Sequence, residues 1–588
     1  MERRGRRAVT ATLRRVALAA SVLGSLAAGD LKDTPEMDKS ARVDELACAT
    51  EARGLRGVVV ANTREAAEAG ARVLRRGGNA VDAAVATAFA LGISETEASG
   101  LGGQAWMLIH RAGGDDVAID GSGVAPAQFD IEQVRRLRDG AAPPVGYASI
   151  ATPGGLAALD LALRAYGTMH LDQVIEPALE VANEGVRLTL HQQAILVSFG
   201  LRMRSSPPLR DVFLDGDGEP WGPGHLYCLD EVAATLRRLA RRGVADFYAG
   251  RTADAIDADM RANGGFVRKS DLERIRPVVL PPVRGRFRGY DVIASPAPAG
   301  GPAIVEALQI LDRFPREAIA SDATDAIVTR VEAARIAVYD YLAAWCMGPG
   351  YLERTVQVGH AISRAGMIDP SHAATVRAIL GRDLVLRRRD GTSQVSVIDS
   401  QGNAVSLTVT FHGEFGACVA TPGLGFPYNN TLATYDLEEP RNPDYLRPGA
   451  VVRNLAAPTM LLRDGSPFLV LGGPGSGRVT SSIVETVVNV VDRRMGAADA
   501  VSSARVLWNG GSGAEPFIEV APPFTDRDVA ELNRRGFKKA YALTFPARVI
   551  DLIAFGGVNL AMLDPTTGEL VGAGDPRRAG TAVVADSP

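Results

Sequence analysis

Thr392 and Thr410 are the two residues of this sequence whose type and spacing most clearly allow chemistry. Each lies in a short run rich in β-branched residues, 392–398 or 404–410, and a polar turn containing glycine, 400–403, separates the runs. This pattern predicts a β-hairpin in which the two threonines lie opposite or diagonal, with Cβ atoms about 5–8 Å apart. An ordinary exposed hairpin without chemistry fits the same pattern.

A threonine preceded by Asp390 and Gly391 can become a nucleophile by self-cleavage. The hydroxyl of Thr392 would attack the Gly391 carbonyl, the acyl group would shift from nitrogen to oxygen, and water would release it. The chain would then end at Gly391 and restart at Thr392. The new α-amino group has a pKa of about 8 and, as the neutral amine, can accept the proton of its own hydroxyl. Glycine suits the position before the cut because it tolerates strained backbone.

The run GGPGSGR at 472–478 is a second candidate for chemistry. It lies between a predicted strand and a helix predicted to begin near Thr480. Backbone N–H groups at such a junction point outward and attract negative charge. The run is therefore either a plain strand-to-helix turn or an oxyanion hole that stabilises the charge formed when Thr392 attacks a carbonyl.

The elements that must position these residues indicate one large α/β body. Strand patterns occur near the start of the chain and again after residue 392, whereas residues 150–390 show mainly helical apolar spacing and proline-marked loops. The predicted strands are 56–62, 105–109, 117–123, 468–471, 517–520 and 558–563. The predicted helices are 64–76, 80–91, 156–166, 171–184 and 229–242. We therefore expect sheets built from both ends of the chain.

Composition gives no sign of a nucleic acid partner, a zinc site or a disulfide framework. The 588 residues are 46% hydrophobic and 22% charged, which is typical of globular proteins. A net charge of −4 among 64 basic and 68 acidic residues gives no reason to expect a nucleic acid partner. The cysteines are far apart, so they predict packing roles rather than a zinc site or a disulfide framework. They are Cys48, Cys228, Cys346 and Cys418.

Residues 1–54 are expected to be peripheral, either a signal or a disordered extension. Arginines precede an apolar run at 16–28 that ends in small residues, an order typical of an export signal. A disordered Ala/Arg-rich extension fits the same residues, as does a chain that starts at Met37. We favour a cytoplasmic over a secreted protein. The run is too short to span a bilayer, and no other segment has a transmembrane pattern, so we expect no membrane partner.

Five further segments, taken together and in this order, resemble the γ-glutamyltranspeptidase family of N-terminal nucleophile hydrolases. They are LRRGGNAVDAA (74–84), SGLGG (99–103), YGT (166–168), FYAG (247–250) and AGDPRR (573–578). The resemblance covers the chain from about residue 56 to its C-terminus. It implies an α/β fold with four layers, αββα, and a precursor that cuts itself into two associated subunits, a large one of residues 55–391 and a small one of residues 392–588. It also implies a small-molecule substrate and neither a metal nor an organic cofactor.

The resemblance also implies roles for the two threonines and for the glycine-rich run at 472–478. By motif position, Thr392 looks like the family nucleophile and Thr410 like the threonine that hydrogen-bonds it. Gly475 and Ser476 fall where the family places its oxyanion-hole amides.

The residues that recognise a free amino acid in the family are replaced. The family holds the glutamyl α-carboxylate with the arginine of a D-x-R-E-x-A-P pattern, but this chain reads DGSGVAP, with Ser122 in place of that arginine. A serine cannot form the charged bidentate pair that arginine makes with a carboxylate. Around N-N-Q/E-M-D-D, which holds the α-amino group, Thr431 replaces the amide or acid and Thr434 replaces an aspartate.

Two more segments depart from the family pattern. Asn454 and Leu455 stand where the family has paired serines, and His412 and Glu414 follow Thr410. His412 is either a packed hairpin residue or a new polar contact in the substrate pocket, where a protonated histidine can bind an anion.

The sequence thus predicts a self-processing threonine hydrolase or acyltransferase that acts on a carbonyl substrate other than an ordinary γ-glutamyl amide. Because the charged groups that hold a glutamyl head in the family are replaced here, we expect glutathione to be a poor substrate. The resemblance extends to a branch in specialised metabolism, associated with 4-alkylproline units, where C–C bonds of keto-acid side chains are hydrolysed. A conventional glutathione hydrolase and a non-catalytic binding protein on the same fold are the alternatives.

Overall fold

The computed structural model describes residues 50–138, 144–348, 350–369, 391–508, 516–519, 525–535, 542–543 and 556–586. These residues fall within one unit, 46–588. Most of the expected N-terminal extension, together with Cys48 and Asp390, lies outside the described residues.

The strands are numbered in chain order. They are β1 (Thr50–Gly54), β2 (Gly57–Ala61), β3 (Gln104–His110), β4 (Val117–Gly121), β5 (Val186–Arg187), β6 (Leu226–Tyr227), β7 (Val278–Leu280), β8 (Val283–Phe287), β9 (Tyr290–Ala294), β10 (Gly391–Asp399), β11 (Ala404–His412), β12 (Thr459–Arg463), β13 (Ser466–Gly472), β14 (Val506–Trp508), β15 (Pro516–Glu519), β16 (Ala542–Leu543), β17 (Asn559–Leu563), β18 (Leu570–Gly574) and β19 (Thr581–Val584).

The α-helices are numbered in the same way. They are α1 (Arg64–Arg75), α2 (Ala80–Ser94), α3 (Ile131–Arg138), α4 (Gly155–Tyr166), α5 (Leu171–Glu184), α6 (Leu190–Phe199), α7 (Pro207–Phe213), α8 (Asp230–Arg242), α9 (Ala245–Ala249), α10 (Arg251–Ala262), α11 (Lys269–Leu272), α12 (Gly301–Leu311), α13 (Arg316–Ile319), α14 (Thr324–Ala343), α15 (Tyr351–Thr355), α16 (Val358–Ala365), α17 (Val479–Val491), α18 (Ala497–Ser502) and α19 (Asp526–Arg534). In the described part of the chain, no helix has both the length and the apolar character needed to cross a membrane.

Two seven-stranded sheets form the centre of the fold. One has the order β1-β18-β17-β13-β12-β9-β8, and the other has the order β19-β2-β10-β11-β3-β4-β7. Each sheet takes strands from both ends of the chain, which confirms that expectation. The middle of the chain also contributes β7, β8 and β9, which the sequence patterns did not predict.

Apolar packing separates four layers. Apart from α3, the helices up to α11 share an apolar core with the sheet that contains β10, while α12, α14 and α17 share one with the other sheet. A smaller apolar cluster, which includes Val60, Met460 and Val470, lies between the sheets. The alternation of β10 follows from this arrangement, because Val395 and Val397 face the helices whereas Ile398 faces the opposite sheet. The predicted four-layer αββα fold is confirmed.

Helix α2 shows how local sequence supports this packing. Asn79 caps its N-terminus by accepting from the backbone N–H groups of Val81 and Asp82, and the Asp82 side chain accepts in return from the Asn79 N–H. Almost every residue of the alanine-rich helix is buried, as its small side chains predict. Among the cysteines, Cys418 is buried, but the packing prediction is wrong for Cys228 and Cys346, which are exposed.

Candidate active site

The hairpin of β10 and β11 brings Thr392 opposite Thr410, and their hydroxyl oxygens lie 3.0 Å apart. This confirms the predicted pairing. The alternative of an exposed hairpin is wrong, because both strands are central in their sheet and all their residues except the half-buried Thr392 are buried. The candidate nucleophile is therefore the one half-buried residue of an otherwise buried strand.

The Thr410 hydroxyl also contacts the bond that would be cut. It donates a short hydrogen bond to the Gly391 carbonyl oxygen and accepts one, 2.9 Å long, from the His412 N–H. A hydroxyl has one proton to donate. Since Thr410 gives its proton to Gly391, Thr392 must be the donor in the contact between the two threonines. The three residues therefore form a directed relay from Thr392 through Thr410 to the Gly391 oxygen.

Gly391 occupies a position that only glycine fits. The register of the hairpin shifts between Gly391 and Thr392, so Gly391 lies opposite His412. A β-carbon on Gly391 would lie 2.3 Å from the backbone oxygen of Gly413, far inside van der Waals contact. His412 itself has φ of 77°, an unfavourable conformation for a residue with a side chain. Strain of this kind is concentrated at functional sites.

The candidate oxyanion loop follows β13. Gly475 has φ of 145°, and Ser476, with φ of 55°, begins a 3₁₀ turn that leads into helix α17 at Val479. Arg478 holds the turn by donating to the Gly475 carbonyl at 2.9 Å. At the start of the loop, a β-carbon on Gly472 would lie 2.5 Å from the side-chain amide of Gln394. The loop thus begins against β10, two residues along from Thr392.

Gln104 is a site residue that the sequence analysis missed. It lies opposite Thr410 in the ladder between β3 and β11, on the side away from Thr392. Its side chain donates to the Thr431 hydroxyl at 2.6 Å and accepts from the Gly123 N–H at 2.5 Å. Gln104 therefore joins the paired threonines to the segments of Gly123 and Thr431, where the family's recognition groups are replaced. Only the register of β3 against β11 could have revealed it.

The hydroxyls that replace the family's recognition groups are engaged within the protein. Ser122 accepts from the Trp106 indole N–H at 3.0 Å and lies 2.5 Å from the carboxylate of Asp120, to which it donates. Thr434 donates to the backbone oxygen of Thr431 at 2.7 Å. Burial raises the pKa of Asp120, although the Ser122 hydrogen bonds oppose the shift.

His412 and Glu414 are both buried. Glu414 lies 3.5 Å from the guanidinium of Arg578, which belongs to the AGDPRR segment. Two acids that the sequence analysis missed, Glu95 and Glu97, lie in the same buried region. Burial raises the pKa of Glu95 to about 7, and burial together with the Glu95 charge raises the pKa of Glu97 to about 8.

Asn454 and Leu455 lie against the turn that precedes α12. The Asn454 N–H donates to the carbonyl of Pro298, and the backbone of Leu455 lies within 3 Å of where a β-carbon on Gly300 would stand. Close packing of these two segments requires glycine at position 300.

One cluster in the described residues has the composition of a metal site. Glu306, Asp340 and His360 place ligand atoms within 4.8 Å of one another. Arg364 donates to both carboxylate oxygens of Asp340, at 2.6 and 2.9 Å, and its Nε lies 3.2 Å from the His360 ring nitrogen. The guanidinium thus occupies the cationic position, so the cluster is a buried ion-pair network and does not suit a metal.

The four-layer fold, with a threonine at the head of a central strand, is that of an N-terminal nucleophile hydrolase. The sequence matches the family model described as Gamma-glutamyltranspeptidase over residues 66–585. The chain belongs to that family.

Individual relatives divide between two named activities. The chain is 32% identical to the acylase ACY 1 proenzyme of Pseudomonas sp. (strain V22), covering 92% of this chain and 96% of the relative. It is 29% identical to the glutathione hydrolase proenzyme of Escherichia coli (strain K12), covering 96% of this chain and 97% of the relative. The crystal structure of cephalosporin acylase from Bacillus halodurans matches with a TM-score of 0.79 and 26% identity, over 95% of this chain and 99% of that chain. The protein is thus a hydrolase or acyltransferase of this family.

Proposed function

We propose that this protein is a self-processing threonine acylase that cuts itself between Gly391 and Thr392. The products would be a large subunit of residues 55–391 and a small subunit of residues 392–588. The observation that carries the proposal is the relay from Thr392 through Thr410 to the Gly391 oxygen. Both relatives described above are called proenzymes, which agrees with processing of a precursor.

The relay suits each step of self-cleavage. Thr392 Oγ1 attacks the Gly391 carbonyl carbon and passes its proton to Thr410, while Thr410 passes its own proton to the Gly391 oxygen. This transfer offsets the negative charge that develops on that oxygen. The C–N bond then breaks as the C=O bond re-forms, the proton on the Gly391 oxygen returns through Thr410 to the nitrogen of Thr392, and an ester remains between Gly391 and Thr392 Oγ1. Water hydrolyses this ester, which leaves a carboxylate on Gly391 and a free amine on Thr392.

The mature site would use the same hydroxyl on a substrate. The neutral α-amine of Thr392 accepts the hydroxyl proton as Oγ1 attacks the substrate carbonyl, and Thr410 orients the nucleophile. The amides of Gly475 and Ser476 are the proposed donors to the oxyanion. The amine then protonates the leaving group, and water releases the acyl group from Thr392. Every proton in this cycle is carried by the protein or by water.

The residues that replace the family's recognition groups favour a substrate without a free amino acid head. Ser122, Thr431 and Thr434 offer no positive or negative charge, and their hydroxyls contact Asp120, Gln104 and the Thr431 backbone. His412 and Glu414 are the proposed polar contacts of the altered pocket. We infer an acyl donor other than a γ-glutamyl amide. Either an amide or a keto acid that is cleaved at a C–C bond would present the carbonyl that the nucleophile needs.

Intact mass and a substrate panel test the proposal. We expect the purified protein to contain a chain that begins at Thr392, and we expect turnover of acyl amides or keto acids to exceed turnover of γ-glutamyl anilides. A Thr392→Ala variant should remain a single chain without turnover. An active wild-type preparation that is uncut would overturn the mechanism. Preferred turnover of γ-glutamyl anilides would instead identify a conventional glutathione hydrolase, and a cut protein that forms no adduct with small electrophiles would identify a binding protein.

A further inference from the structure

The first residues of β10 pair with β11 on one side but not with β2 on the other. The ladder between β10 and β2 runs from Ser396 to Asp399, opposite Val60 to Gly57. On the other side, β11 pairs with β10 as far as Gly391. The nucleophile end of β10 thus extends beyond its ladder with β2, and side chains take the place of a strand there.

Two buried asparagines occupy that place. The Gln394 N–H donates to Asn62 Oδ1 at 3.2 Å, and Asn559 Nδ2 donates to the Gln394 carbonyl at 2.8 Å. Asn559 Nδ2 also donates to Asn62 Oδ1 at 2.7 Å, so the two amides are joined to each other. Together they satisfy both backbone groups of Gln394, as a neighbouring strand would.

Asn62 is in turn held by Glu95. Asn62 Nδ2 donates to Glu95 Oε1 at 3.0 Å, and all three side chains are at most 3% exposed. Glu95 also interacts with the hydroxyl of Ser393, which lies 2.8 Å from the hydroxyl of Ser99. The segment after Thr392 is therefore fixed through its backbone at Gln394 and through its side chain at Ser393.

Asn559 also ties this segment to the opposite sheet. It is the first residue of β17, and its carbonyl accepts from the Ser396 hydroxyl at 3.0 Å. Asn62 precedes the proposed cut and Asn559 follows it. The pair would consequently join the large and small subunits at the nucleophile strand once the covalent link at Gly391 is gone.

We propose that Asn62 and Asn559 form a clamp, with Glu95 as its support, that positions the N-terminal nucleophile after cleavage. This inference rests on the proposed function. A free chain end frays unless it is tied down, and small displacements of a reacting atom lower the rate steeply. Backbone groups alternate along a strand, so the nitrogen of Thr392 points to the same edge as that of Gln394. The clamp thereby holds β10 along the edge to which the Thr392 nitrogen points.

Asn62→Ala and Asn559→Ala test the clamp. We expect each variant to lower kcat about tenfold or more while KM changes less than twofold, because the displaced group is the nucleophile rather than the pocket. Labelling of Thr392 by a small electrophile should slow by a similar factor. Asn489→Ala is the matched control, since Asn489 is also buried and donates one hydrogen bond, to the Ala500 carbonyl. It should retain wild-type kcat.

The outcomes separate the clamp from the proposed function. A wild-type protein that is active but uncut would overturn both. A cut wild type with variants that keep their kcat would overturn the clamp alone, as would a loss confined to KM. If Asn559→Ala does not fold, Asn559→Ser decides, because its hydroxyl can restore at most one of the two hydrogen bonds. It should fold and show an intermediate kcat, and a wild-type kcat would contradict the clamp.

Discussion

Thr410 donates its hydroxyl proton to the carbonyl oxygen of Gly391, the residue before the candidate nucleophile. The same oxygen of Thr410 receives the hydroxyl of Thr392 at 3.0 Å. Attack on a peptide carbonyl needs an acceptor for the proton of the nucleophile and a donor to the developing oxyanion. One threonine supplies both, because a hydroxyl can donate and accept at the same time.

Replacing Thr410 with valine should slow self-cleavage by about 100- to 1,000-fold, the usual cost of losing one donor to an oxyanion. Valine has the same shape but neither donates nor accepts. The fraction of cut chain, followed by intact mass during incubation, measures the effect. Thr486→Val is the control, since Thr486 is also buried and bonds only within its helix in the described structure. Equal cleavage rates in the two variants would contradict the relay.

Gly391→Ala should block processing. The added methyl group would lie 2.3 Å from the Gly413 backbone oxygen, so the hairpin must shift at the bond that is to be cut. Gel electrophoresis should show a single uncut chain. Gly366→Ala provides the comparison, because its nearest neighbouring atom would lie at 3.5 Å and its φ is −65°. Normal processing of Gly391→Ala would show that this contact does not constrain the cleavage site.

Ser122→Ala should destabilise the protein by about 1–3 kcal/mol, the usual cost of leaving a buried polar group without its partner. The variant removes the acceptor of the Trp106 indole and a donor to Asp120. The midpoint of chemical denaturation measures the change, with the exposed Ser198 mutated to alanine as control. We expect turnover of γ-glutamyl anilides to stay low. An unchanged midpoint would contradict the structural part of the Ser122 role.

Glu97→Gln should change how stability depends on pH. Burial and the Glu95 charge raise the pKa of Glu97 from 4.5 to about 8, so the folded protein binds a proton that the unfolded chain releases. The contribution of Glu97 to the free energy of unfolding is fully present below about pH 4.5 and is lost as the pH rises through about 8. The loss has a slope of at most about 1.4 kcal/mol per pH unit. Glutamine does not titrate, so the free energy of unfolding of the variant minus that of wild type should increase between pH 5 and pH 8. A constant difference would contradict the prediction.

Local patterns predicted much of the candidate site. The two runs rich in β-branched residues and the short turn between them predicted the Thr392–Thr410 pair, because a hairpin turn sets the register over a few residues. Helix α2 was also predicted locally, from the alanine-rich run that follows the turn at 77–79. Strands β8 and β9 were missed, since the proline-marked stretch around them was assigned to loops and helices and only pairing with β12 makes β9 an interior strand.

The sequence by itself determined the hairpin, the threonine pair and the motifs of the family. Only the tertiary structure decided that Gln104 lies beside Thr410, that Glu95 supports Asn62, and that Asn559 reaches the nucleophile strand. The physical reason is the range of the interactions. Register within a hairpin depends on a few adjacent residues, whereas Asn62 and Asn559 meet only because two sheets, each built from both ends of the chain, pack face to face.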